Sequence, residues 1–181
     1  SEHPDPGVRY FAGTATYERQ IDVSAEMLRD GRRIYLDLGR VEVLANVTVN
    51  GTDLGQVWKE PYRVDITDVA KPGKNSVSIA VTSLWPNRMI GDAQVPDPLD
   101  DKYIEGEWPI GERFAEDGSK TVLMAQKITE LPEWYLAGEP NPEGERVTFT
   151  PWKFFPKDEP LLDSGLLGPV RLLVAEERTL R

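Results

Sequence analysis

Apolar residues recur at every second position over most of this sequence, and that period narrows the possible folds more than any other feature. Ala15, Tyr17, Ile21 and Val23 alternate with Thr16, Glu18, Gln20 and Asp22. Ile34, Leu36 and Leu38 alternate with Tyr35 and Asp37, and Val47 and Val49 flank Thr48. The same pattern returns at Tyr62, Val64 and Ile66, at Val77, Ile79 and Val81, at Val147 and Phe149, and at Val170, Leu172 and Val174. A period of two sends successive side chains to opposite faces of an extended chain, so each run predicts a strand buried on one face. Turn chemistry separates the runs. Asn50-Gly51 predicts a tight hairpin because both residues tolerate positive φ, and Pro72-Gly73 predicts a turn within 71–75. Ser24 and Thr67 are placed to cap short helical turns at 24–28 and 67–70. No long amphipathic helix is visible. Seven short strands spaced by turns predict an all-β sandwich of jelly-roll type.

One region departs from this rhythm. From Pro86 to about Arg146 the chain is rich in Pro, Gly, Asp and Glu, and the regular alternation stops. Connections between core strands are usually about 4–6 residues, and much longer ones tend to carry function. The expectation is a single β-sandwich domain over 1–181 with one long loop excursion at about 86–146. Thr121–Met124 can add a strand there, and 128–136 a helical turn.

Composition limits the function classes. Lys plus Arg number 21 against 31 Asp plus Glu, a net charge of -10. Such a chain repels phosphate backbones and anionic lipid, so neither nucleic acid nor membrane is an expected partner. No apolar run approaches the roughly 18 residues that cross a bilayer. There is no cysteine and a single histidine, His3. Disulfides, thiolate catalysis, a Ser-His-Asp triad and a multi-histidine zinc site are therefore not expected. The N-terminus lacks an initiator Met, which leads to the expectation of either a removed leader or a piece of a longer polypeptide, and a C-terminus that stops after a strand-like run fits the second.

Several stretches resemble a known family. Tyr17-Glu18-Arg19, Gly31-Arg32-Arg33-Ile34-Tyr35-Leu36-Asp37-Leu38-Gly39, Ala45-Asn46-Val47-Thr48-Val49-Asn50-Gly51 and Pro61-Tyr62-Arg63-Val64-Asp65-Ile66 resemble the sugar-binding jelly roll of family 2 glycoside hydrolases. Leu84-Trp85-Pro86-Asn87-Arg88-Met89-Ile90-Gly91-Asp92, Thr148-Phe149-Thr150-Pro151-Trp152-Lys153 and Ser164-Gly165-Leu166-Leu167-Gly168-Pro169-Val170 are similar to the C-terminal sandwich of family 106 α-L-rhamnosidase-type enzymes. The resemblance implies a galactose-binding-like fold attached to a glycosidase whose catalytic acids lie in another domain. It also implies an extracellular or periplasmic setting. Jelly rolls of this kind often hold a structural calcium, for which Asp97, Asp100 and Asp101 are candidates; a solvated acidic stretch is the other reading. No other cofactor is implied.

The candidate contacts cluster around the excursion. A pyranose offers an apolar face to an aromatic ring, while its hydroxyls need amide or charged partners. Trp85, Trp108, Trp134 and Trp152 lie at or beyond the edges of the regular strands, either as stacking rings or as plugs under the excursion. Asn87, Arg88 and Asp92 follow Trp85 closely and supply donors and acceptors. Arg88 equally suits an interdomain ion pair. Lys153 stands beside Trp152 and the Phe154-Phe155 pair. Trp58, close after a hairpin, is expected in the core or at its rim. A glycosidase acid pair needs two carboxyls about 5–9.5 Å apart, one of them in apolar surroundings, and a solvated acidic loop provides neither condition. The expectation is a non-catalytic carbohydrate-binding module of a larger glycoside hydrolase, holding plant-type poly- or oligosaccharide. The alternative is a structural sandwich that buttresses the catalytic domain of the same polypeptide without binding sugar alone.

Overall fold

Ala45, Val47 and Val49 are fully buried while Leu44, Asn46 and Thr48 between them are half-buried, so the alternation read from the sequence becomes the inner face of strand β4 (Leu44–Val49). The computed structural model describes residues 3–95, 104–142, 146–148 and 154–176. In chain order the other elements are α1 (Pro6–Arg9), β1 (Thr14–Val23), β2 (Arg32–Asp37), β3 (Arg40–Glu42), β5 (Thr52–Val57), β6 (Arg63–Asp65), β7 (Gly73–Thr82), α2 (Pro86–Asp92), β8 (Ile104–Phe114), β9 (Lys120–Ile128), α3 (Glu133–Leu136), β10 (Gly165–Gly168) and β11 (Arg171–Glu176). They fall into two compact units.

The sandwich unit comprises Ala12–Leu84 and Asp163–Arg181. It has a four-stranded sheet in the order β1-β7-β4-β5, a three-stranded sheet in the order β11-β2-β6, and a short β10-β3 pair, all antiparallel. Register explains the core. Ala45, Val47 and Val49 of β4 lie opposite Val81, Ile79 and Val77 of β7, and Leu36 of β2 lies between Leu172 and Val64. These side chains join Val23, Ile34, Leu38, Val41 and Ile66 in one buried cluster. Burying each such side chain contributes roughly 1.5–3 kcal/mol, so this cluster is the main source of the unit's stability.

The Asn50-Gly51 hairpin forms as expected between β4 and β5, with φ of 51° and 81° at its two residues. Asn50 also reaches inward. Its Nδ2 donates to the Val69 carbonyl at 2.8 Å and to Asn75 Oδ1 at 2.7 Å, and Asn75 is itself buried. The helical turn at 24–28 is a pair of i→i+3 bonds, with Ser24 Oγ accepting from the Met27 amide at 3.4 Å. Thr67 does not cap its turn. Its hydroxyl lies 2.5 Å from Asp65 Oδ1 and accepts from the Ile34 amide at 2.9 Å, which ties β6 to β2.

The insertion unit comprises Ser1–Phe11 and Trp85–Leu162. The excursion is thus more structured than a loop: it carries α2, the hairpin β8-β9 and α3. The strand expected at Thr121–Met124 is longer, and it pairs with β8 through two register shifts. Of the strand expected at 147–150, Phe149 and Thr150 lie outside the described residues; Val147 and Thr148 are not in a strand, and a side chain takes up their amides, as described next.

Candidate functional site

Pro86 sets φ at the first position of α2, and the Met89 amide closes the first turn on the Trp85 carbonyl at 3.0 Å. The helix is two turns long, with Asn87, Ile90, Gly91 and Asp92 buried. Asn87, Ile90 and Gly91 follow the i, i+3, i+4 spacing of one helix face. Against that face lies Tyr10: a Cβ on Gly91 would fall 2.5 Å from its Cγ. Each buried polar side chain then holds a returning segment of backbone.

Asn87 is 4% exposed. Its Nδ2 donates to the Leu162 carbonyl and its Oδ1 accepts from the Leu162 amide, both at 2.8 Å. Asp92 is 1% exposed. Its Oδ1 meets Arg88 Nη2 at 2.7 Å and accepts from the Val147 amide at 3.2 Å. Its Oδ2 accepts from the Thr148 amide at 2.6 Å and the Thr148 hydroxyl at 2.5 Å. Gln94, just beyond the helix, donates to the Lys157 carbonyl at 2.6 Å. Arg88 is largely covered, and its Nε is buried without a hydrogen-bond partner among the described residues. The polar residues expected around Trp85 are therefore brought together, with Asn87 and Asp92 aimed at the unit's own backbone.

The aromatic candidates lie differently. Trp85 is 56% exposed at the start of α2. Trp108 is exposed on β8, opposite the buried Ala125 of β9. Trp134 is half-buried in α3 and meets Tyr135 edge-on, with centroids 6.0 Å apart. Phe155 is half-buried under the Arg113 guanidinium, while Phe154 is exposed. Trp152, Lys153, Asp97, Asp100 and Asp101 lie outside the described residues. Among the described residues no three carboxylate or imidazole groups come together to hold a metal ion.

The hairpin has two distinct faces. On one, Arg113 pairs with Glu159 of the same unit. On the other, the register places Glu112, Phe114, Lys120 and Val122 together. Glu112 and Lys120 form an ion pair there, while Phe114 and Val122 are exposed. Ile110 on β8 is exposed as well.

Among the described residues, the carboxyl groups with displaced acidity are Asp37, Asp65 and Asp117, and all three are lowered. For Asp37 the causes are the Arg63 guanidinium and then the Gly39 amide. Burial pushes Asp65 up, but the Thr67 hydroxyl and amide, with Arg33, outweigh it. The Ser119 hydroxyl and amide lower Asp117. A glycosidase acid needs the opposite displacement. Trp58, expected at the core or rim, is 66% exposed.

Comparison with known proteins identifies the fold and the family. The model of the glycosyl hydrolase 2 galactose-binding domain-like family matches residues 7–128. A Formosa agariphila protein, provisionally named a beta-glucuronidase, is 40% identical over 174 residues, covering 96% of this chain and 13% of that protein. The structure of a rhamnosidase from Novosphingobium sp. PP1Y is 33% identical with a TM-score of 0.65, covering 96% of this chain and 12% of that one. The chain thus spans about an eighth of the relatives it matches. It belongs to the glycosyl hydrolase 2 galactose-binding domain-like family, a β-sandwich accessory domain of larger glycoside hydrolases.

Proposed function

We propose that the domain acts as a non-catalytic support in a larger glycosidase, one that releases rhamnosyl or glucuronosyl groups, and that it docks on the rest of that polypeptide through the insertion unit. The observation that carries this reading is the inside-out assignment of α2 and the hairpin. Asn87 and Asp92, the polar groups best suited to sugar hydroxyls, are spent on Leu162, Val147 and Thr148. Phe114, Val122 and Ile110 are left outside. Apolar side chains grouped on an outer face mark a protein contact more often than a solvated surface. The Glu112–Lys120 pair beside them resembles the polar rim of such a contact.

The test is a double substitution, Phe114→Ser with Val122→Ser. In the parent enzyme it should lower the melting temperature by several degrees, while the domain alone melts unchanged. An unchanged parent enzyme overturns the docking reading. Carbohydrate binding by the insertion unit is the second reading, and it rests on the exposed rings of Trp85 and Trp108. It expects retardation of the domain in polysaccharide affinity gels that Trp85→Ala or Trp108→Ala removes.

A further inference from the structure

Asn50-Gly51 is the only Asn-Gly pair in the chain, and it forms the turn between β4 and β5 in the sandwich unit. Such a pair is chemically labile. The Gly51 amide nitrogen can give up its proton to hydroxide and attack Cγ of Asn50. A ring N–Cγ bond then forms, and the side-chain nitrogen leaves as ammonia. Water adds to either carbonyl of the ring and breaks one ring C–N bond. The product is aspartate, or isoaspartate with the main chain running through Cγ. Glycine in second place has no Cβ to hinder the attack, and Gly51 is exposed at the tip of the hairpin. By sequence and exposure alone, this turn would be the first place where the chain ages.

The folded hairpin holds the reacting amide out of reach. Asn50 Nδ2 donates to the Val69 carbonyl at 2.8 Å and to Asn75 Oδ1 at 2.7 Å, and Asn50 Oδ1 accepts from the Ser76 amide at 3.1 Å. The Asn50 amide donates in turn to the Ser76 carbonyl at 2.9 Å. The clamp is itself fixed. Asn75 is 1% exposed, its Oδ1 accepts from the Lys71 amide at 2.7 Å, and its Nδ2 donates to the Lys71 and Gly73 carbonyls. Cyclisation requires all three side-chain bonds of Asn50 to open together. It is slow beside hairpin opening, so its rate follows the population of the open form. The same contacts fix the consequence. A carboxylate at position 50 has no proton for the Val69 carbonyl or Asn75 Oδ1, and an unpaired buried acceptor is costly. Isoaspartate also lengthens the main chain inside a two-residue turn, whose register sets Val49 opposite Thr52. From this we infer that Asn50-Gly51 is a site of spontaneous deamidation that the folded hairpin locks. Each opening of the hairpin exposes the site, and reaction there prevents a full return to the native fold.

The experiment incubates the 181-residue chain in mildly alkaline buffer, with and without denaturing urea, beside a short peptide of the same hairpin sequence. Peptide mass spectrometry follows the exchange of amide for acid at Asn50, and chromatography separates aspartate from isoaspartate. In urea the chain should react at the rate of the peptide. In buffer it should react at least about a hundredfold more slowly, at roughly fivefold for each of three hydrogen bonds. Native reaction within about tenfold of the peptide's rate overturns the lock. Chain that has reacted in urea is then returned to buffer and compared with unreacted chain carried through the same steps. The reacted fraction should melt several degrees lower. Equal melting temperatures overturn the claim that reaction damages the fold. Asn50→Asp, made directly, should show the same deficit without incubation, and failure of this variant to fold is that deficit at its extreme. The wild-type kinetics test the lock in either case.

Discussion

Asp92 accepts from two backbone amides and a hydroxyl while facing a guanidinium, so its replacement tests what α2 is for. Asp92→Asn keeps the volume but turns one oxygen into a donor, which must then face Arg88 or the Val147 and Thr148 amides, all donors themselves. Breaking a buried charged pair costs about 3–5 kcal/mol, and the partial exposure of Arg88 puts this case at the lower end. Asn87→Ala strands the Leu162 amide and carbonyl, at about 1–3 kcal/mol. Urea unfolding should show both losses. Glycan retardation per folded molecule should stay unchanged, since neither group faces outward; a loss of retardation at full stability would return them to a ligand site. Asp37 gives the pH-dependent counterpart. Arg63 and the Gly39 amide hold its acidity below the ordinary carboxylate value. The unfolded chain therefore takes up the proton first as pH falls. The resulting stability is present above about pH 4 and is lost as pH drops through the folded-state value. Asp37→Asn should be less stable than wild type at pH 7, and the gap should narrow between pH 5 and pH 3 in urea unfolding measured across that window.

At the level of elements, legibility followed the source of each element's stability. Strands such as β4 and β7 bury one face against the opposite sheet, so Ala45, Val47, Val77 and Ile79 announce them directly. The inner-face residues of β1 alternate just as clearly, yet Tyr17 and Arg19 remain exposed because β1 is a sheet edge. The hairpin β8-β9 was barely visible: its strands pair with each other through two shifts, and Pro109 interrupts the pattern. Val147 and Thr148 carry a strand-like period, but the Asp92 carboxylate takes their amides. The residues of α2 were legible as polar groups near Trp85. Their inward orientation was not, because in a presumed loop nothing assigns them a face. Pro86 followed by Asn87, Ile90 and Gly91 at helical spacing was the available signal. Nor does any spacing announce that Gly39 must approach Gly168. Gly39 has φ of +66°, and a Cβ there would lie 2.5 Å from the Gly168 oxygen. Gly39→Ala should therefore exceed the roughly 1 kcal/mol of an unhindered left-handed position. A loss of at least about 2 kcal/mol, read as a lower melting temperature, is the expected result.

Across the whole molecule, burial is divided unequally. The core cluster lies entirely in the sandwich unit. In the insertion unit the buried apolar side chains among the described residues are Ile90, Ala125 and Pro132, while Phe114, Val122, Ile110 and Leu136 are exposed. A unit with so little buried apolar area depends on polar clamps such as Asn87, Asp92 and Gln94, and a two-stranded hairpin is marginal without packing. Local opening follows buried contact, so the two units should open at different free energies. Amide hydrogen exchange on the isolated chain should be slow at Val47, Val49, Ile79 and Val81 and faster by orders of magnitude along 108–125. If the insertion unit is a docking surface, the parent enzyme supplies the missing burial, and exchange along 108–125 should slow there while β4 and β7 change little. Equal exchange in the two settings would mean that the hairpin face meets solvent in both, and the exposed rings of Trp85 and Trp108 would then be better read as contacts for a soluble ligand.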